Sequence, residues 1–251
     1  MPTLEQQQKY WSHWNSELRS EDDLPEVSRR QGAIVRGWLG DLRRRDLRIL
    51  EIGCGTAWLT PSMAAFGTVT AVDLTEELLA KARARYPGIE FVPGDFGTLE
   101  FGGQFDVIVA LEVLSHVVDQ AAFVAKAASL LKSGGQLMVT TQNRPVLERY
   151  NRLPPVDPGQ YRNWVDKDDL RKLLLPDFDV LELYSVTPKS NRGPMRLVVS
   201  SKVHAALSVV AGTKPKDFLE RHWLGWTLMA RAQKRGISRR HHQTGIEGPQ
   251  R

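Results

Sequence analysis

The stretch Leu47–Thr60, LRILEIGCGTAWLT, constrains this chain more than any other. Leu47, Ile49, Leu50 and Ile52 form a short apolar run of the kind that fills a central strand of a parallel sheet, covered on both faces. Gly53 and Gly55 follow at once. A residue without a Cβ accepts φ > 0 and lets a ligand lie directly on the backbone. Thr56 is predicted to cap a helix that starts here, whose free N–H groups and dipole attract negative charge. Roughly 20 residues beyond Gly53, Asp73 closes the apolar run Val69–Val72, where an acid at the tip of a second strand can accept hydrogen bonds from a ribose.

A strand, a glycine turn and a helix also describe the dinucleotide-binding turn G-x-G-x-x-G. Its third glycine position is occupied by Trp58, whose ring blocks the close helix–strand packing that a small residue allows. The segment Glu51-Ile52-Gly53-Cys54-Gly55-Thr56 instead resembles motif I, E/D-x-G-x-G-x, of the class I S-adenosylmethionine (SAM)-dependent methyltransferases. Further matches follow. Gly94-Asp95-Phe96 ends a third strand around Ile89, Phe91 and Val92, and FDVIVA (Phe105–Ala110) followed by LEVLSHV resembles motif IV. RRQGAIV, beginning at Arg29, and Gln142-Asn143-Arg144 resemble segments of the ubiquinone-biosynthesis O-methyltransferases. The resemblance covers roughly residues 28–186 and the final strand.

The resemblance implies an α/β, Rossmann-like fold: a seven-stranded, mostly parallel sheet with an antiparallel edge strand. It implies SAM as cofactor, S-adenosylhomocysteine as product, and a cofactor site made of Glu51, Gly53, Cys54, Gly55, Thr56, Asp73 with the adjoining Leu74, Asp95, Phe96 and Leu111. Arg30 is the match for an arginine that holds the SAM carboxylate, a task suited to a planar, always-charged fork; a surface arginine is the other reading. His116, four residues past Glu112, is either structural or a proton acceptor beyond the end of a parallel strand. Tyr10 and Trp14 share one helical face and either pin the N-terminal segment to the domain or form a lid over the ligand. With Asn143, Arg144 and Trp164 they are the candidates for the acceptor pocket.

The remaining elements follow from periodicity and breakers: helices at Thr75–Tyr86, Asp119–Leu131 and Asp168–Leu175, strands at Gln136–Thr141, Phe178–Val186 and Gly225–Arg231, and an irregular proline-rich stretch at Leu153–Gly159. One methyltransferase domain spans residues 1–251, with a helical cap over 1–46 and a flexible basic tail from 236. Between strands six and seven lies an insertion, 187–224, read as a lid or a dimer surface, with an amphipathic helix near Val198–Val210.

Charge decides against nucleic acid. The tail from Arg231 onward holds six Lys or Arg and one Glu, which is the whole net charge of +5, so the rest of the chain is neutral. Cys54 is the single cysteine and cannot form an internal disulfide, which points to a reduced, cytoplasmic setting. The first 30 residues are polar, unlike a signal peptide, and no run of ~18 apolar residues suggests a membrane span. No cluster with metal-ligand spacing is visible, so no metal is expected. The acceptor is expected to be a small molecule, methylated on oxygen by analogy with the ubiquinone-type enzymes, with nitrogen and carbon left open.

Overall fold

The computed structural model describes residues 1–17, 24–200 and 214–236. Seven strands form one sheet: β1 (Leu47–Ile52), β2 (Gly67–Asp73), β3 (Glu90–Pro93), β4 (Phe105–Leu111), β5 (Leu131–Gln142), β6 (Phe178–Val186) and β7 (Thr227–Lys234). Their order is β3-β2-β1-β4-β5-β7-β6. The first five are parallel, with registers such as Leu47↔Gly67 and Ile49↔Val107. The expected reversed strand is β7. It runs antiparallel to both neighbours and lies one place in from the edge, so β6 is outermost.

The apolar runs of the central strands exist because both faces are covered. Successive side chains alternate between faces. Val107 and Val109 of β4 join Ile49 of β1 and Met138 of β5 against Val35, Trp38 and Leu39 of helix α2 (Glu26–Asp41). Ile108 and Ala110 point the other way, with Leu50, Leu137 and Val139, towards Phe123 and Val124 of α5 (Gln120–Leu130) and Leu170 and Leu174 of α7 (Lys167–Leu174). The remaining helices before β6 are α1 (Leu4–Glu17), α3 (Thr60–Met63), α4 (Glu76–Arg85) and α6 (Arg144–Tyr150). The insertion between β6 and β7 contributes α8 (Met195–Val198) and α9 (Lys214–Arg221); most of the helix expected near Val198–Val210 lies outside the described residues.

One local expectation is corrected. No helix starts at Thr56. Gly53, Gly55 and Ala57 have φ of 73°, 53° and 57°, and this alternation of left-handed residues is incompatible with a helix. The chain enters α3 only at Thr60, with Pro61 in its first turn, and α3 is one turn long. Thr56 therefore caps nothing, and a dipole from so short a helix is not what the turn offers a ligand. Trp58 is housed by a glycine on the facing helix: a Cβ at Gly32 of α2 would stand 2.8 Å from Cζ3 of its ring.

Asn143, expected in the acceptor pocket, is instead a structural tie. It is buried, and its Nδ2 donates to the carbonyls of Trp223 and Gly225, both at 2.8 Å, clamping the end of β5 to the turn into β7. Asn143→Ala leaves two carbonyls without their donor. It is expected to lower unfolding free energy by about 2–3 kcal/mol, at roughly 1 kcal/mol or more per lost buried hydrogen bond, read as a shifted urea midpoint at unchanged slope.

Candidate active site

The strand order reverses between β1 and β4, and in open α/β sheets ligands bind beyond the carboxyl ends of strands at such a point. A cavity of about 860 Å³ opens there, towards the upper end of the ~300–1,000 Å³ typical of small-molecule clefts. Gly53 and Gly55 form one wall, and Asp73, Leu74, Asp95, Phe96 and Leu111 line it further round. The four segments expected to meet at this edge all do so: Tyr10 and Trp14, Glu112 and His116, Gln142, and Trp164 each contribute to the lining.

The glycine turn is held from the next strand. One carboxylate oxygen of Asp73 accepts from the Gly55 N–H at 2.8 Å and the other from the Thr75 N–H at 3.0 Å. Burial pushes this carboxyl above the usual range, and the backbone N–H groups of Gly55 and Thr75 pull it back. Each oxygen keeps a further lone pair for a donor in the cavity. At the end of β3, Asp95 accepts from the Gly97 N–H at 3.0 Å, and Phe96 packs edge-on to Phe123 with ring centroids 5.0 Å apart. Glu51, on the cavity floor, accepts from the Thr60 hydroxyl.

Beyond β4 the chain turns through Glu112 at φ 60°, a left-handed conformation that a non-glycine residue holds only when its surroundings impose it. They do. The Glu112 N–H donates to the Thr140 carbonyl at 3.2 Å, and its buried carboxylate accepts from Gln31 Nε2 and, at 3.1 Å, from the Thr140 hydroxyl. Burial raises this carboxyl as well, opposed by the bonds from Gln31, Thr140 and Thr227. Glu112 thus braces the turn that carries His116.

The Nδ1 of His116 lies 2.7 Å from the Tyr161 carbonyl. A carbonyl only accepts, so Nδ1 carries the proton and Nε2 keeps its lone pair. Trp11 packs across the ring at 75° to its own neighbour Trp14 and at 4.5 Å, 62°, to the imidazole. Burial first, and then the charge of Arg162, depress the His116 pKa to about 4, against the pull of the Tyr161 carbonyl. The ring is neutral at pH 7.

Helix α1 closes the cavity from above. Gln8 donates to the Leu74 carbonyl at 3.2 Å and Ser12 to Glu77 at 3.0 Å. Asn15 sits over the glycine turn, 3.2 Å from where a Gly55 Cβ would be. The opposite side of α1 meets the loop at Gly159, where a Cβ would strike the Gln6 backbone at 2.3 Å.

Five expected residues are placed elsewhere, among them Thr56, which does not line the cavity and whose hydroxyl is buried without a hydrogen-bond partner. Arg30 points outward from α2 and pairs with Glu220 of α9 at 2.9 Å; its neighbour Gln31, one step or about 100° round the helix, takes the inward position. Arg144 is occupied by Asp166 and Asp169, at 2.6 and 2.8 Å, on a separate groove. Cys54 is buried beside Ala57, Leu79 and Phe91 beneath α4, and Asn143 is the tie described above. Conversely, Trp11, Asn15, Gln31, Arg152, Arg162 and Lys189 line the cavity without having been singled out. Helical spacing points to Asn15, one turn from Trp11; nothing in the sequence marks Arg152 or Lys189.

Residues 50–139 match a family model described as a methyltransferase domain. Over that span the chain is similar to SAM-dependent methyltransferases. A probable S-adenosylmethionine-dependent methyltransferase of Mycobacterium tuberculosis is 35% identical over 129 residues, 51% of this chain and 46% of that protein. A ubiquinone biosynthesis O-methyltransferase of Caulobacter sp. is 35% identical over 144 residues, 51% of this chain and 57% of its length. The chain thus spans about half the length of the curated relatives it matches. The N-methyltransferase NodS of Bradyrhizobium japonicum, solved with S-adenosylhomocysteine, superimposes with a TM-score of 0.63 at 16% identity, over 91% of this chain and 98% of that one, which establishes the fold.

The residues present fit SAM. Gly53 and Gly55 bring main chain to the cavity wall, with Val113 and Asn15 standing where their Cβ atoms would be, the Asp73 carboxylate retains acceptors for a diol, and Asp95 with Phe96 frames a ring site. No group of three or more His, Cys, Asp or Glu able to hold a metal occurs among the described residues, and no described helix is long and apolar enough to cross a membrane.

Asp73→Ala is expected to weaken SAM binding by roughly 1–3 kcal/mol, about 5- to 100-fold, in calorimetry of the folded protein. His116 makes a second prediction. Its folded pKa of about 4 lies below the ordinary 6.5, so the unfolded chain binds the proton more readily between those values. Its contribution is complete above pH 6.5 and is lost as pH falls towards 4. His116→Gln should therefore lose less stability than the parent between pH 7 and 4.5, compared by urea midpoints.

Proposed function

We propose that this protein transfers the methyl group of SAM to a hydroxyl oxygen of a small molecule, with His116 as the proton acceptor. When bound, SAM supplies a methyl group already activated on a sulfonium and leaves as S-adenosylhomocysteine. Asp73 would accept from the ribose hydroxyls, Gly53 and Gly55 would line the cofactor's path, and Asp95, Phe96 and Leu111 would line the adenosine site. The chain must then hold the acceptor oxygen in line with the methyl group at about 3 Å. Nε2 of His116 takes the hydroxyl proton as the new O–C bond forms.

The observation that carries this reading is the Nδ1–H bond of His116 to the Tyr161 carbonyl, which supports a neutral ring with its free lone pair on Nε2, in a residue that lines the cavity. The Trp11 edge against the ring holds its plane. Oxygen is favoured over nitrogen because the ubiquinone biosynthesis O-methyltransferases are among the matched relatives. The neutral body of the chain, outside its basic end, supports a small acceptor rather than a nucleic acid. The single buried cysteine supports a reduced, cytoplasmic setting. For the insertion after β6 we favour a lid over a dimer surface, because Lys189 and Asn191 line the cavity.

Transfer is tested with SAM labelled in its methyl group against paired phenols, carboxylic acids and amines. Label in phenol ethers is expected. Label only in amines moves the reaction to nitrogen, and intact S-adenosylhomocysteine binding with no labelled product would leave a binding protein. His116→Gln keeps a hydrogen-bonding side chain but accepts no proton. It should lower kcat at least about tenfold, at the low end of the ~10²–10⁴ of general-base help, with little change in SAM affinity. Because the neutral imidazole is the active form, the parent rate should stay level from pH 8 to 6 and fall only towards pH 4.

A further inference from the structure

The end of the cavity beyond His116 is built differently from the cofactor end. The carboxylates that line the cavity come from the ends of β1 and β2 (Glu51, Asp73) and from the segments that follow β3 and β4 (Asp95, Glu112, Asp119). The far end is lined by Arg152, Arg162 and Lys189, and among the described residues none of the three forms an ion pair. Arg162 is held entirely by neutral acceptors: its Nε donates to Gln160 Oε1 at 2.8 Å, and its two terminal nitrogens to the Pro154 and Pro155 carbonyls at 2.9 and 3.2 Å. Those bonds, with the Trp164 ring beneath the guanidinium at 5.6 Å, fix it in place without a carboxylate partner. Asp157, in the same loop, forms no ion pair with any of the three; its charge and that of Arg162 both act on the Tyr10 hydroxyl.

Arg152 and Lys189 come from segments far apart in sequence and are fastened together by two asparagines. Asn151 donates to the Lys189 carbonyl at 3.3 Å. Asn191 accepts from the Arg152 N–H at 2.6 Å, returns a bond to the Arg152 carbonyl at 3.3 Å, and donates its own N–H to Asn151 at 3.2 Å. Ser190 closes the arrangement on the Tyr150 carbonyl at 2.8 Å. This reciprocal stitching holds the main chain of two cationic residues side by side at one rim, where both side chains line the cavity and an anion would meet two positive charges. The walls alongside are apolar and flat: Leu147, Leu153, Pro154, Trp11 and Trp164.

We propose that the methyl acceptor is an anion, a small flat molecule whose carboxylate or phosphate is received by Arg152, Arg162 and Lys189 while its reacting atom lies beside His116. The inference rests on the transfer reading above and names its substrate class. Arg162 joins the two parts of the site, since it follows Tyr161, whose carbonyl orients His116, and its charge is felt at the imidazole. An acceptor anion against Arg162 offsets that charge, so the ring becomes a stronger base when the right acceptor is in place.

The test uses three probes with one ring system, 2-naphthoate, 2-naphthyl phosphate and the neutral 2-naphthamide, titrated into the full chain loaded with S-adenosylhomocysteine and followed by tryptophan fluorescence. At least one anion should bind about tenfold or more tightly than the amide, as expected of three partly exposed charge contacts acting together. Whichever anion leads identifies carboxylate or phosphate as the source. The double variant R152E/K189E should erase the preference while S-adenosylhomocysteine affinity stays unchanged. Equal behaviour of the amide and both anions, whether all bind or none does, overturns the proposal, as does a preference that survives the charge reversal. Failure of the parent chain to take up S-adenosylhomocysteine overturns the transfer reading instead, and is seen separately before any probe is added.

Discussion

The site depends on one hydrogen bond, from the Gly55 N–H to the Asp73 carboxylate at 2.8 Å. It joins the turn after β1 to the tip of β2 and holds a backbone that runs through three left-handed residues, Gly53, Gly55 and Ala57. Such a path has little to recommend it locally, because only glycine enters the left-handed region without strain. Ala57 can do so here because it is fully buried under α4, and the Gly53 and Cys54 N–H groups both reach the Val72 carbonyl. The result is a stretch of main chain in the cavity wall at the point where the strand order reverses. That is what a ligand needs in order to lie against the sheet edge.

A second buried network sets the acceptor side. Glu112, Gln31, Thr140 and Thr227 come from the β4 turn, α2, β5 and β7, and their side chains satisfy one another. A carboxylate in such a place is costly unless every partner is present. Its reward is orientation: the turn it fixes carries His116, and the loop that accepts the imidazole proton carries Arg162. The glycine turn and the β4 turn are thus separately braced, one by Asp73 and one by Glu112, and the His116 ring packs against the edge of Trp11.

Much of the fold was legible because its signals are local. The β6 boundaries, Phe178–Val186, match expectation, since breakers and alternation bracket that strand on both sides. The glycine turn, the acid after β2, Asp95-Phe96 and the Glu112–His116 turn are each a few residues long and were read in place. The errors share one cause. Strand–glycine–threonine usually leads into a helix, which in sequence makes Thr56 a cap, yet three left-handed residues postpone the helix to Thr60. Arg30 is the residue that the resemblance matches, with a surface arginine as the other reading; a single step round α2 separates the cavity from the outer face, and Glu220 pairs with the arginine there. Asn143 and Arg144 follow β5 as expected and then turn to partners from the insertion turn and α7.

The sequence by itself determined the sheet, the cofactor wall and the position of the candidate base, because period-2 burial, glycine φ freedom and a strand-end acid are properties of neighbouring residues. Only the tertiary structure decided which side chains face inward and what balances their charge. The tautomer of His116 depends on a carbonyl 45 residues away, and Arg152 and Lys189 are brought to one rim by asparagines about 40 residues apart. Neither partner is implied by anything adjacent in the chain. Charge compensation acts through space, so a residue's bonding partners are fixed only when the chain has closed around them.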